Sequence, residues 1–376
     1  MKIVFLFPGR GRDVRADGQS DGSTPREFFY GMSALDTDGH AVSFADNRRD
    51  PDGAWPLAHL KWEILRNRIM HYGTSAERVR AVSDELRRND LALSFTDGFS
   101  LSLGRHARRF GATARLAGGF HGISTFTERT PAPFRAAAEA RTRAGLHGLD
   151  HCFFFGAADR QYAIDTYGLD PARTSLFRFG IDTDFWCPAR PEEDEQDGGV
   201  FSAGSDPSRD YATLLSAGIE APIRILSGLT LPDPVPANVE QISGSFHGIA
   251  ITDLVLRDIY RRAAVVAVPL LDVLQPTGYS VALQAMACGK PLVISDFRGL
   301  WDRDAFVSGE NCFLVPHGDP AALREAVETL LGDADLRARI GAAARTTAER
   351  TFPLARMNGS VRELVAAATD ASSEAA

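Results

Sequence analysis

Short runs that are apolar at nearly every position alternate along this chain with longer stretches whose apolar residues recur at helical spacing. In the first half the continuous runs fall at 3–7, 41–45, 91–95, 113–117, 152–155 and 175–179. They predict strands, and the intervening spacing predicts helices near 26–35, 57–71, 76–88, 101–110, 133–144 and 159–167. A strand that is apolar throughout is buried on both faces, the mark of a parallel sheet covered by helices on either side. The second half repeats this rhythm. Its strands are expected at 200–203, 223–226, 239–242, 265–269, 291–295 and 312–315, and its helices near 211–217, 252–263, 281–287, 320–331 and 336–351.

Between the halves lies PARPEEDEQDGG (188–199), acidic and rich in proline and glycine, which reads as a linker or exposed loop. Two doubly wound α/β domains joined there would face each other across a cleft, and such sheets bind ligands beyond the carboxyl ends of their strands. Composition agrees. The 376 residues are 44% hydrophobic and 24% charged, which excludes a disordered chain, a fibre or a disulfide scaffold. The formal charge of −8 argues against a nucleic-acid-coating surface. Only three of the 41 cations are lysines, so any anion site must use arginine and backbone amides. No apolar run is long enough to span a membrane, and MKIVFLFPGRGRD reads as a first strand rather than a signal peptide. Cys152, Cys187, Cys288 and Cys312 are far apart, so free thiols and a cytoplasmic address are expected, with the inner membrane face as an alternative.

The most informative segment is QPTGYSVALQAMACGKPLVISDFRG (275–299). Pro276, Thr277 and Gly278 break a strand and open a helix whose first amides, near Gly278, Tyr279 and Ser280, lack intrahelical partners and carry the positive end of the helix dipole. Gln284 follows about one turn further in. An ordinary buried helix of a doubly wound sheet would read the same way.

This segment resembles the donor-binding signature of retaining glycosyltransferases of the two-domain GT-B fold, in particular the glycogen-synthase-like family four: E-G-F-G-x-x-x-x-E-A-M-A-x-G-x-P-V-V. FGIDTDFWCP (179–188), GENCFLVPHGDPAALREAVETLL (309–331) and LDTDGHAVSFAD (35–46) are similar to further family segments in the same order. The domains expected are 1–185 on the acceptor side, a linker at 186–199, a nucleotide-sugar-binding domain at 200–352, and a C-terminal helix within 353–376 that packs back on the first domain before a frayed tail. The family's two glutamates fall on Pro276 and Gln284. The first usually faces the donor sugar and the second usually bonds the ribose, so the altered pair bears on sugar preference or activity.

The resemblance implies transfer of a hexose-like sugar from a nucleoside diphosphate donor to a small-molecule, lipid-linked or saccharide acceptor, with retention and without metal or other cofactor. In FSAGSDPSRDYATLL (201–215), Ser205 and Arg209 stand where or near where the family places its diphosphate-binding Arg and Lys. A surface arginine paired with Asp206 or Asp210 is the other reading of Arg209. His121 matches a histidine that approaches the donor sugar, although a structural histidine is equally consistent. Gly9 and Gly11 follow the first strand, where the resembled loop approaches the phosphates; Asp97 ends another strand and is an acceptor-side candidate. The DTD triplet (182–184) falls inside the interdomain match and is not read as a metal site. LAHLKWEILRNRIMHY (57–72) is a basic amphipathic stretch, read as a solvated helix face rather than a membrane or acceptor contact. Two other readings stay open: a non-catalytic partner protein on this fold, and a nucleotide-sugar epimerase or hydrolase.

Overall fold

The computed structural model describes residues 1–8, 12–46, 65, 67, 73–190, 198–244 and 251–370. Gly9, Gly11, most of the amphipathic stretch at 57–72 and positions 191–197 of the acidic segment lie outside the described residues.

The first half runs β1 (Lys2–Phe7), α1 (Arg12–Ser20), α2 (Met32–Thr37), β2 (Ala41–Asp46), α3 (Ala76–Ala81), α4 (Ser83–Arg88), β3 (Leu91–Ser94), α5 (Asp97–His106), β4 (Arg115–Phe120), α6 (Ile123–Arg129), α7 (Arg135–His147), β5 (His151–Phe154), α8 (Ala157–Tyr167) and β6 (Thr174–Leu176). The second runs β7 (Val200–Ala203), α9 (Tyr211–Ser216), β8 (Ile223–Ser227), β9 (Val239–Ser243), α10 (Asp253–Arg262), β10 (Val265–Val268), α11 (Tyr279–Ala287), β11 (Leu292–Asp296), β12 (Phe313–Pro316), α12 (Pro320–Gly332), α13 (Ala334–Thr351) and α14 (Leu354–Asp370). Each half forms a six-stranded sheet, ordered β2-β1-β3-β4-β5-β6 and β12-β11-β10-β7-β8-β9. All strand pairs within the sheets are parallel. The central strands are buried at every position of β3, β5, β7 and β10, which is why they read as unbroken apolar runs. Chain direction across the sheet reverses between β1 and β3 and between β7 and β10. Those are the switch points at which open α/β sheets leave a crevice.

Several elements differ from expectation. The predicted helix at 26–35 is a 3₁₀ turn, Arg26–Phe29, followed by α2, because Tyr30 (φ 50°) and Gly31 (φ 80°) take left-handed backbone between them. That break lets Tyr30 stack on Phe95 with centroids 4.3 Å apart, and it lets α14 come close: a Cβ on Gly31 would lie 2.8 Å from Val361 Cγ1. The helix expected at 76–88 is two short ones meeting at Val82. Helix α1 was not legible, since RDVRADGQS has no apolar stripe. The strand placed at 113–117 is β4, Arg115–Phe120, so Gly118 and Gly119 lie inside the strand rather than ending it. A Cβ on Gly118 would meet Leu149 Cδ1 at 2.6 Å, and one on Gly119 would overlap the Phe153 ring. Close approach of neighbouring elements, not chain termination, explains both glycines.

The last helix lies on the first sheet. Met357, Val361, Leu364, Val365 and Ala368 of α14 are buried in one cluster with Phe5, Phe95 and Phe153. Ser360 Oγ accepts from the Arg178 amide at 3.0 Å, and Arg362 forks onto Asp38. The chain crosses back to the first half at Phe352, whose carbonyl accepts from the Ile181 amide at 2.8 Å.

At the first crossing, Trp186 Nε1 donates to Glu27 Oε1 at 2.7 Å, while Glu27 Oε2 is buried without a partner among the described residues. Burial pushes the Glu27 carboxyl up to about 8 from its ordinary 4.5, so it is protonated in the fold and ionised in the unfolded chain between those values. Native protein therefore holds the extra proton, and stability falls as pH rises through that window, by on the order of 1.4 kcal/mol per pH unit from this group. Asp97 and the buried Asp159, raised to about 6 and about 7, act with the same sign over narrower windows. Glu27→Gln keeps the acceptor for Trp186 and is expected to flatten the decline in urea midpoint between pH 5 and 8. An identical decline in both proteins would refute the assignment.

Candidate active site

The cleft between the two sheets has a volume of about 500 Å³. It is built from the loops after β7 and β10, at the switch point of the second sheet, and is faced by α1 and the loop after β4 of the first. Eight of the residues singled out in the sequence line it: His121, Ser205, Arg209, Thr277, Gly278, Tyr279, Ser280 and Gln284.

Gly278 caps α11 with φ 87°, a conformation open to glycine at little cost, and leaves the first amides of the helix without intrahelical acceptors. Arg209 lies over this cap. Its side chain packs so closely on two glycines that a Cβ on Gly204 would overlap the guanidinium and one on Gly278 would lie 3.0 Å from Nη1. The alternative pairing with a neighbouring aspartate does not occur. Asp206 accepts from the Ser208 amide at 2.7 Å and from Gln275 Nε2 at 2.9 Å, and Asp210 caps α9 through Thr213. Arg209 Nε and Nη1 are buried and have no hydrogen-bond partner among the described residues. Burial holds the guanidinium below its usual range, yet arginine stays charged. A buried, unpaired cation beside free helix amides is an arrangement chemically suited to an anion.

Ser205 serves the loop: Oγ donates to Gly244 O at 3.2 Å and accepts from the Gly228 amide at 2.8 Å. Gln284, 4% exposed, accepts from Tyr260 Oη at 3.0 Å through Oε1. His121 has both ring nitrogens engaged. Nε2 lies 2.8 Å from Phe95 O, which can only accept, so the proton is on Nε2; Nδ1 then accepts from Tyr279 Oη at 3.0 Å. The ring stacks on Phe155 with centroids 3.8 Å apart, and burial pushes its pKa down to about 4, leaving it neutral. Asp97 does not line the cleft. Its Oδ1 accepts from the amides of His121 (2.9 Å) and Gly122 (3.2 Å), shaping the loop that carries the histidine.

Sequence reasoning missed the residues that join the two halves across the cleft. Arg15 of α1 forks onto Asp253 of α10 at 3.1 and 3.3 Å, with its guanidinium 4.3 Å over Phe28. Gln275 takes a hydrogen bond from Thr125 Oγ1 of α6 at 2.9 Å while donating to Asp206, and Arg129 Nη2 donates to Ser208 Oγ at 3.1 Å. Arg15 and Asp253 are 238 positions apart, and no local pattern marks either. Gln275 adjoined the motif and was the one findable member. The DTD carboxylates, Asp182 and Asp184, are both paired by Arg26. The four cysteines are free thiols, three of them buried. No helix among the described residues is long and apolar enough to cross a membrane.

Residues 228–333 match the protein family described as "Glycosyl transferases group 1". The chain is 29% identical over 265 residues to alpha-maltose-1-phosphate synthase of Mycolicibacterium smegmatis, covering 62% of this chain and 63% of that protein. It is 28% identical over 251 residues to D-inositol 3-phosphate glycosyltransferase of Frankia alni, covering 60% of each. The match thus spans rather less than two thirds of these relatives' length. Among solved structures, sucrose-phosphate synthase from Thermosynechococcus elongatus superposes with a TM-score of 0.71 at 17% identity, over 99% of this chain and 100% of that one. Anabaena HepE in complex with UDP-glucose does so with 0.68 at 17%, over 97% and 99%. Residues 228–333 thus resemble the group 1 glycosyltransferases, and the paired parallel sheets give the chain the GT-B fold.

Proposed function

We propose that the protein transfers a hexose-like sugar from a nucleoside diphosphate to a hydroxyl or similar nucleophile, with retention of anomeric configuration. The observation that carries this is the buried, unpaired Arg209 guanidinium aimed with the first amides of α11 into the cleft. The barrier to glycosyl transfer is departure of the diphosphate from an oxocarbenium-like centre. A guanidinium fork and a helix N-terminus stabilise the charge that develops on the departing phosphate and need no reorganisation to do so. The departing phosphate itself can take the acceptor's proton, so no glycosidase-like pair of carboxylates is required. Thr277, Tyr279 and Ser280 border the phosphates, and Gln284 lies toward the nucleoside. The cleft closed by Arg15–Asp253 and Gln275 keeps water from the donor. The acceptor enters from the first-domain side and is a small molecule, lipid-linked sugar or saccharide. Support comes also from the relatives, both named for synthesis or transfer of glycosyl groups, and from the HepE structure holding UDP-glucose.

The test is calorimetric titration with UDP, GDP, dTDP, ADP and CDP without added metal. Micromolar binding of one or more is expected. Binding of none by folded protein favours the non-catalytic reading, which the loss of both motif carboxylates to Pro276 and Gln284 would then explain.

A further inference from the structure

We infer that Cys187 and Cys288 form a redox-modification site, which a peroxide converts to a disulfide and a thiol reductant restores. The bond staples the crossing between the two halves to the far end of α11. Contacts on either side bring these two residues together from separate segments of the chain. Arg345 Nη1 donates to Trp186 O at 2.7 Å and to Ala287 O at 2.6 Å, so the carbonyls just before the two cysteines share one nitrogen. Just after them, a Cβ on Gly289 would lie 3.2 Å from Pro188 Cγ. The side chains meet at a common cation. Arg261 of α10 donates through Nε to Cys187 O at 2.9 Å and through Nη2 to Cys187 Sγ at 3.0 Å. The same arginine is the charge that acts most strongly on the Cys288 thiol, and Cys187 is close enough to act on it too.

The two thiols differ in what can reach them. Cys187 is partly exposed, whereas Cys288, the C-cap of α11, is 1% exposed, and burial pushes its thiol up to about 12. Cys187 is therefore the sulfur that a dissolved oxidant meets first. Thiols react with peroxide as the anion, and the Arg261 guanidinium lies beside this sulfur. In the first step the Cys187 sulfur attacks one peroxide oxygen and the O–O bond breaks. The other oxygen leaves as water with the thiol proton, and Cys187 becomes a sulfenic acid. The Cys288 sulfur then attacks Cys187 Sγ. Its proton and the departing hydroxyl form a second water as the S–S bond closes. Hydrogen peroxide is thus reduced to two waters while the two thiols give up two electrons. Burial suits Cys288 to the second step, because it is shielded from the oxidant yet adjoins the sulfur it must attack. Among the described residues no other thiol acts on Cys152 or Cys312, so those two cysteines serve as internal controls.

The test treats the full chain with hydrogen peroxide, quenches with catalase, and reads intact mass and a peptide map under non-reducing conditions. A loss of about 2 Da is expected, with Cys187 and Cys288 in one cross-linked peptide, and dithiothreitol should restore the original mass. Cys187→Ser and Cys288→Ser should each abolish the loss, whereas the Cys152→Ser, Cys312→Ser double variant should retain it. In Cys288→Ser the oxidised Cys187 has no partner, so dimedone should trap its sulfenic acid. In Cys187→Ser the buried Cys288 should stay reduced. The wild-type peptide map decides the matter by itself if a serine variant fails to fold. A cross-link through any other cysteine, a Cys187 that only gains oxygen in the wild-type chain, or thiols that all stay reduced would overturn the inference. None of these outcomes bears on the donor reading, which nucleotide titration tests separately.

Discussion

Replacing Arg209 by alanine is expected to lower donor affinity and turnover by about tenfold or more, as loss of a charge-assisted phosphate contact usually does. The same variant is expected to be as stable as the parent without ligand, or more so. In the unliganded cleft Arg209 is a desolvated cation with two nitrogens unpaired, so its removal relieves a cost rather than breaking a bond. That opposition of stability and binding separates an anion-binding arginine from a structural one, whose loss would harm both. Gly204→Ala offers an independent route. Gly204 has φ +130°, where any side chain strains the backbone, and a Cβ there would displace the guanidinium. Donor binding by this variant should fall as it does for Arg209→Ala, and the double variant should be little worse than either single one. Melting curves and nucleotide titration read both effects. Unchanged binding in Arg209→Ala with a normal melting curve would remove the phosphate role.

The second large effect concerns His121 and Tyr279, which meet across the cleft. A histidine whose Nε2–H is given to Phe95 O and whose Nδ1 accepts from Tyr279 has no nitrogen open to a sugar in this arrangement. We expect it to act as a positioning residue: from the first half of the chain it holds Tyr279, the first residue of α11, and so fixes the first amides of that helix, which the proposal gives to the phosphate. Tyr279→Phe deletes the hydrogen bond while keeping the stack on Phe155 and the edge contact with Trp301. It and His121→Ala are each expected to raise the donor KM by about tenfold with a smaller change in kcat, and their combination should be clearly less than additive. The pH–rate profile should show no limb near 6.5 that belongs to His121, because its pKa is pushed down to about 4 and the ring is neutral throughout the working range. A collapse of kcat in His121→Ala beside a near-normal Tyr279→Phe would instead make the histidine a direct participant in the reaction.

What the chain alone determined was the set of strands and the start of helix α11. A strand covered on both faces must be apolar at each position, so β3, β5, β7 and β10 announce themselves whatever surrounds them. The break and helix start at Pro276–Gly278 are equally local, since they depend on backbone chemistry within a few residues. Helix α1 and the interruption at Tyr30–Gly31 were not legible. The first is polar apart from Val14 and Ala16, too few apolar residues to mark a helix, and the second serves the packing of α14, more than 320 positions away.

At the site, residue types near Arg209, His121 and Gln284 pointed to phosphate and sugar chemistry, but only the tertiary structure decided what each side chain has left to offer. It showed that Asp206 and Asp210 are otherwise engaged, leaving Arg209 unpaired. It also turned Asp97 onto the backbone of His121 and Gly122, and gave Gln284 Oε1 to Tyr260. Arg15 and Asp253 were joined across the cleft in the same way. The physical reason is common to all of these. A strand's burial is written in its own residues, whereas a polar group's chemistry depends on which of its donors and acceptors remain unsatisfied, and partners far along the chain settle that.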